Sequence, residues 1–256
     1  MSQEEAPNTA DGTRDVVSQQ QTESLVDQLP LGEGVVAGSG AFLLAYLFYH
    51  QVITYATTIG AGSPSADGPA GWVVAGWYFF ASHSVPVSAG GETAQLSILP
   101  NLGLGSFGLA FGGWPVQVLI LFAPAILLAG AGYLVVSWED PDDLVELLLS
   151  TVTVAFPYLV FSVVASFAMT HTYTDAAAIG QIVNNVEPLF NQYAADGATF
   201  GSATVGPDNL PNNLSVGVGL VNTILFAGII YPVVFGTFGG AIAKKDLVVD
   251  EITTRL

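Results

Sequence analysis

Thirty-five consecutive residues, Asn209 to Ala243, contain no charged side chain. That run limits the folds open to the chain more than any other feature. A long uncharged apolar stretch has to be hidden in a very large core or placed in lipid. The rest of the sequence favours lipid. Between Asp67 and Asp175 the only acids are Glu92 and the cluster Glu139, Asp140, Asp142, Asp143 and Glu146. Hydrophobic residues make up 51% of the 256, charged residues only 10%, and the net charge is −17. So much acid in so apolar a chain requires that the two be segregated.

Four segments meet the length needed to cross about 30 Å of hydrocarbon at about 1.5 Å per residue. They are 34–57, 116–137, 146–170 and 216–243. The predicted fold is therefore an all-α membrane protein, a transmembrane helix bundle with four spans preferred and a small extracellular cap. Residues 1–33 read as a disordered acidic tail, with a short amphipathic helix near 22–29, and no signal peptide is visible. The bundle runs over 34–243 with long connections at 58–115 and 171–215, and 244–256 forms a second tail. The four basic residues, Arg14, Lys244, Lys245 and Arg255, all lie in the tails. Basic residues stay in the cytoplasm. Both termini are thus expected inside the cell membrane, with the acidic turn 138–145 inside and both long connections outside.

The stretch WVVAGWYFFASHSVPV at 72–87 is short and rich in rings that favour the headgroup zone. It is expected to lie on the outer rim of the bundle. The competing arrangement has it cross, paired with 95–112, for six spans. In the other connection, Ile179, Ile182, Val183, Val186, Leu189, Phe190 and Tyr193 recur at helical spacing. Asp175 is placed to cap that helix, Pro188 to divide it and Gly197 to end it.

Candidate functional residues are few. Gly228, Pro232, Gly236 and Gly240 form one smooth face of the last span, and Gly34 and Gly38 another on the first. Small faces let helix backbones approach closely, within one chain or in a homo-oligomer. Prolines 124, 157 and 232 each interrupt a span, as in transporters with broken helices. His50, His83 and His171 are candidates for a polar site on the outer side, although their spacing matches no metal motif. Asn213-Leu214-Ser215 is a glycosylation sequon.

Several function classes fall away. Four basic residues give nucleic acid no footprint. The chain has no cysteine, which removes disulfides and thiolate sites. No zinc-protease helix, phosphate loop or other catalytic or cofactor motif is present, so an enzyme is not expected. Scarce lysine and abundant acid suit a salt-rich cytoplasm, where screening suppresses self-repulsion.

WYFFASHSV at 77–85 and GIIYPVVFGTFGGAIA at 228–243, with the acidic cysteine-free composition, resemble a group of uncharacterised multi-pass membrane proteins from haloarchaea. Some of these carry a transporter label. The resemblance implies a transport component for an unknown solute and brings no site residue with it. The alternative is a structural envelope protein whose cap binds a protein partner.

Overall fold

A computed structural model describes residues 29–58, 67–94, 114–185 and 187–255. The described residues are mostly helical, with one small sheet. Among the described residues, four stretches are long and apolar enough to cross a membrane: Leu31–Tyr55, Ile120–Glu139, Leu144–Ala168 and Leu220–Ala243. They are called spans 1 to 4 and match the four segments expected from the sequence. The expected pairing stretch 95–112 and the expected helix near 22–29 lie outside the described residues.

Span 1 belongs to α1, Leu31–Thr58. It begins directly after Pro30, whose carbonyl accepts from Gly34 N at 2.9 Å. Helix therefore includes three residues assigned above to the tail. Helix α2, Gly71–Ser82, follows. Strands β1 (Val87–Ala89) and β2 (Glu92–Ala94) form a hairpin. Helix α3, Trp114–Glu139, carries span 2 and holds Pro124 in its interior.

Span 3 is broken into α4 (Leu144–Val152) and α5 (Ala155–Ala168). Asp143 caps α4, accepting from Val145 N and Glu146 N at 2.8 and 2.9 Å. Such caps are worth about 1 kcal/mol. The break at Thr153–Val154 lies one turn before Pro157, which has no N–H to offer the Thr153 carbonyl. Strand β3, His171–Tyr173, leaves the end of α5. Helices α6 (Ala176–Asn185) and α7 (Glu187–Tyr193) come next. As expected, Asp175 caps α6, accepting from Ala178 N at 2.9 Å, and Pro188 falls in the second position of α7. The helix stops at Tyr193, before Gly197, which adopts a left-handed φ of 83°.

Strand β4, Leu214–Val218, enters span 4. This span is a short turn α8 (Leu220–Asn222), a π segment (Thr223–Ile230) and α9 (Tyr231–Ala243). The wide turn sits just before Pro232, whose missing donor disrupts ordinary pairing. Helix α10, Lys245–Arg255, closes the chain.

Spans 1 and 4 each pack against spans 2 and 3, so the four form a ring. All sheet strands lie at one end, in the order β2-β1-β4-β3, antiparallel throughout. Val87, Ala89, Leu214 and Val216 bury one face of that sheet. Ile179, Val183, Leu189 and Phe190 of α6 and α7 are buried beside it. The acidic turn marks the opposite, charged end, where Lys244 Nζ pairs with Asp140 Oδ1 at 2.5 Å.

Candidate functional site

Helix α2, which carries the first part of the stretch 72–87, is buried against the spans and not laid on a surface. Twelve residues of α2 extend about 18 Å, too short for a crossing. Nearly the whole helix from Val73 to Ser82 is buried in protein. It enters the ring from the sheet end. Trp77 Nε1 donates to the Met169 carbonyl at 2.9 Å, and Gly76 leaves room for the Met169 side chain. Phe79 reaches the rings of Phe42, Tyr49, Phe80 and Tyr158. The aromatic residues were expected to seek the headgroups, but here they fill space between the spans.

The helix ends on His83, which has no exposed surface. Its Nδ1 lies 2.7 Å from the Phe79 carbonyl and its Nε2 lies 2.8 Å from the Tyr158 hydroxyl. A carbonyl can only accept, so Nδ1 carries a proton. In the neutral ring Nε2 then accepts from Tyr158. The Tyr231 ring packs 4.9 Å from the imidazole, centre to centre. Tyr158 is the fifteenth of 25 residues in span 3 and Tyr231 the twelfth of 24 in span 4. His83 therefore sits near mid-length of the ring. Just after it, Ser84 has a left-handed φ of 60°. Such strain in a non-glycine residue costs about 1–3 kcal/mol and clusters at functional sites.

The other two histidines lie elsewhere. His50 is half-buried on α1 beside Tyr46. His171 is on β3, its Nε2 3.0 Å from the Asp67 carbonyl. No group of three metal-binding side chains occurs among the described residues. Asp67 holds the β3 exit: its carboxylate accepts from Thr174 N and Asp175 N, both at 2.7 Å. The Asp175 and Thr174 amides hold that carboxyl below its usual range. Burial, and then the charge of Asp67, push the Tyr173 phenol up to about 12.

The small-residue faces are all used within the chain. Gly34 packs on Thr153, and Gly38 on Val154 and Pro157, at the break in span 3. Gly228 faces Leu159, while Gly236 and Gly240 face Thr151, and Pro232 is buried. The tightest approaches involve two glycines absent from the expected set. A Cβ on Gly132 would strike the Gly236 carbonyl, and one on Gly239 the Ala129 carbonyl. Tyr158 and Tyr231 also escaped the sequence reading. Each adjoins a proline at the centre of a span, far from the interfacial place of most membrane tyrosines, and that is the signal that could have found them.

Asn213 is exposed just before β4, on a groove of about 450 Å3 with Ser88, Thr170, Tyr193 and Ser215. A second groove, about 600 Å3, runs beside α6 past Gln181, Asn184, Val205 and Leu210.

No curated protein and no solved structure matches the chain. A family model described as a family of unknown function (DUF7978) matches residues 14–246. That covers most of the sequence, and the chain belongs to this family.

Proposed function

We propose that the chain is a non-enzymatic transport component for a small solute in the cell membrane of a salt-loving archaeon. One observation carries the reading: a half-helix enters a ring of four apolar helices and ends on His83 at mid-length. Discontinuous helices whose ends meet at the midplane are the usual construction of transporter sites. Polar groups at that depth are costly and mark function. The π segment and Pro232 add a second irregular backbone at the same level, and π turns are frequent at functional sites. The lipid bilayer is the surrounding partner, contacted by exposed apolar residues such as Val36, Leu44, Phe156, Val164 and Phe238.

The charged end faces the cytoplasm and the sheet end forms the extracellular cap. The Lys244–Asp140 pair supports a shared side for the acidic turn and the C-terminus. Exposure of Asn213 is compatible with glycosylation in that topology. Single cysteines at Asp67, Glu92 and Asp140 in the cysteine-free chain test it: the first two label from outside intact cells and the third only after lysis.

The functional test is flux in proteoliposomes at molar salt. Urea and glycerol entry is followed by light scattering and ion entry by dyes. Permeability above protein-free vesicles supports the reading; none for any solute removes it. The α6 groove supports a second reading, a scaffold whose cap docks an envelope protein, which a stoichiometric partner in mild-detergent purification would favour. Homo-oligomerisation through the glycine faces of spans 1 and 4 has less support, since those faces are occupied inside the chain.

A further inference from the structure

Irregular backbone at membrane depth persists only where protein covers it or water reaches it. The turn after His83 is such backbone. Protein covers His83 itself, but Ser84 is exposed. Its Oγ lies 3.5 Å from the Tyr231 hydroxyl, too long for a strong bond. The amides of the turn are paired, Ser84 N donating to the Ala81 carbonyl and Val85 N to the Phe80 carbonyl, both at 3.0 Å. The group left unmet is the Ser84 hydroxyl, which would lose about 1–3 kcal/mol facing hydrocarbon.

Two further groups point the same way. Ser162 Oγ on α5 and Thr223 Oγ1 in the π segment are fully buried and have no hydrogen-bond partner. Ser162 is one helical turn beyond Tyr158, and α5 packs against the π segment. Buried polar groups without protein partners are ordinarily met by water. On the charged side of the turn the ring closes around Gly240 of span 4, on which Val136 of span 2 and Thr151 and Leu147 of span 3 converge. Water therefore has to arrive from the sheet end.

We propose an aqueous vestibule that opens at the sheet end, reaches Ser84 at mid-ring, and stops at the His83–Tyr158 hydrogen bond. It takes small uncharged solutes that donate and accept hydrogen bonds. Spans 1 and 2 carry no charged residue between Val35 and Trp138 among the described spans, and spans 3 and 4 none from Leu147 to Ala168 or Leu220 to Ala243. An ion at this depth would lack a countercharge, a state that proteins avoid. The choice of solute rests on the transport reading; the vestibule does not.

The test uses the full chain reconstituted in vesicles, with Ser84→Cys as the probe in the native cysteine-free background. Three thiosulfonates of similar size are compared: uncharged hydroxyethyl, anionic sulfonatoethyl and cationic trimethylammonioethyl. The hydroxyethyl reagent is expected to modify Ser84→Cys at least tenfold faster than it modifies Val164→Cys on the apolar exterior. It should also react at least tenfold faster than either charged reagent. A rate no higher than that of Val164→Cys overturns the vestibule, and equal rates with the charged reagents overturn the solute class. Tyr231→Cys, whose parent side chain is partly exposed and faces Ser84, gives the same reading should Ser84→Cys fail to fold. Urea flux is a separate readout. Labelling without flux keeps the vestibule and removes the transport reading; flux without labelling does the reverse.

Discussion

The two halves of the ring are filled in opposite ways. At the charged end spans 2 and 4 meet backbone to backbone, with glycine hydrogens where side chains would be. At the sheet end the same ring holds a whole extra helix, packed with aromatic rings and ending on a histidine. Apolar side chains gain nothing by leaving lipid for one another, so packing and hydrogen bonds must hold such a ring. Close backbone contact does this without an inserted element. An inserted helix does it with rings, but its end brings polar backbone and side chains to mid-depth, which then need partners. The first solution seals; the second leaves a place where chemistry or passage can occur.

The sharpest way to break the sealed half is a bulky residue at its tightest point. Gly239→Leu is expected to abolish the folded monomer in detergent size-exclusion, because the new Cβ would overlap the Ala129 carbonyl, which cannot move aside cheaply. Gly130→Leu is the control. Nothing lies within 4 Å of a Cβ there, so its melting point should stay near that of the parent. Equal tolerance at both positions would mean that the charged end is not sealed by glycine contact. In the other half, Phe79→Ala removes a ring that touches both span 1 and span 3. A loss of about 3 kcal/mol or more is expected, read as a lower thermal midpoint. If Phe79→Ala is neutral, α2 is not integral to the ring.

The two halves also differ in how legible they were. Span existence follows from uncharged length, and all four spans stand where the sequence put them. The glycine faces followed from spacing, yet Gly132 and Gly239 did not, because depth of contact depends on which faces meet. The half-helix was misplaced for a physical reason. Tryptophan, tyrosine and phenylalanine suit a headgroup belt and a protein-filled interior alike, and composition cannot tell the two apart. The shortness of the stretch favours the rim over a crossing, and nothing in the sequence points to an insertion. His83 was picked out as a polar candidate on the outer side. Its partners Tyr158 and Tyr231, which belong to other spans, could be paired with it only in three dimensions.

A subtler change separates the polar end of α2 from its apolar body. Tyr158→Phe keeps the ring contacts with Phe42 and Phe79 and deletes the hydroxyl facing His83 Nε2. The buried nitrogen is left without its partner at a cost of about 1–3 kcal/mol. His83→Phe in the same background should recover part of that loss, since removing both partners costs less than removing one. If the double variant is no more stable than Tyr158→Phe, the His83–Tyr158 bond does not hold the half-helix in place.

The smallest expected effect lies outside the ring, where Asp67 ties the segment before α2 to the end of β3. The Asp175 and Thr174 amides favour its charged form, so its folded pKa lies below the ordinary value of about 3.9. A carboxyl depressed in the folded state contributes stability that is complete above its unfolded pKa. That contribution is lost as pH falls through the lower, folded value. The Thr174 and Asp175 amides should thus keep their hydrogen-exchange protection from neutral pH down through the usual carboxylate range, after correction for intrinsic rates. Protection should then fall in more acidic solution. Asp67→Ala should lack the protection at every pH while leaving the protection of α2 unchanged. If α2 loosens together with these amides, the half-helix depends on its entry loop as well as on the ring, and the division between sealed and inserted halves would extend into the cap.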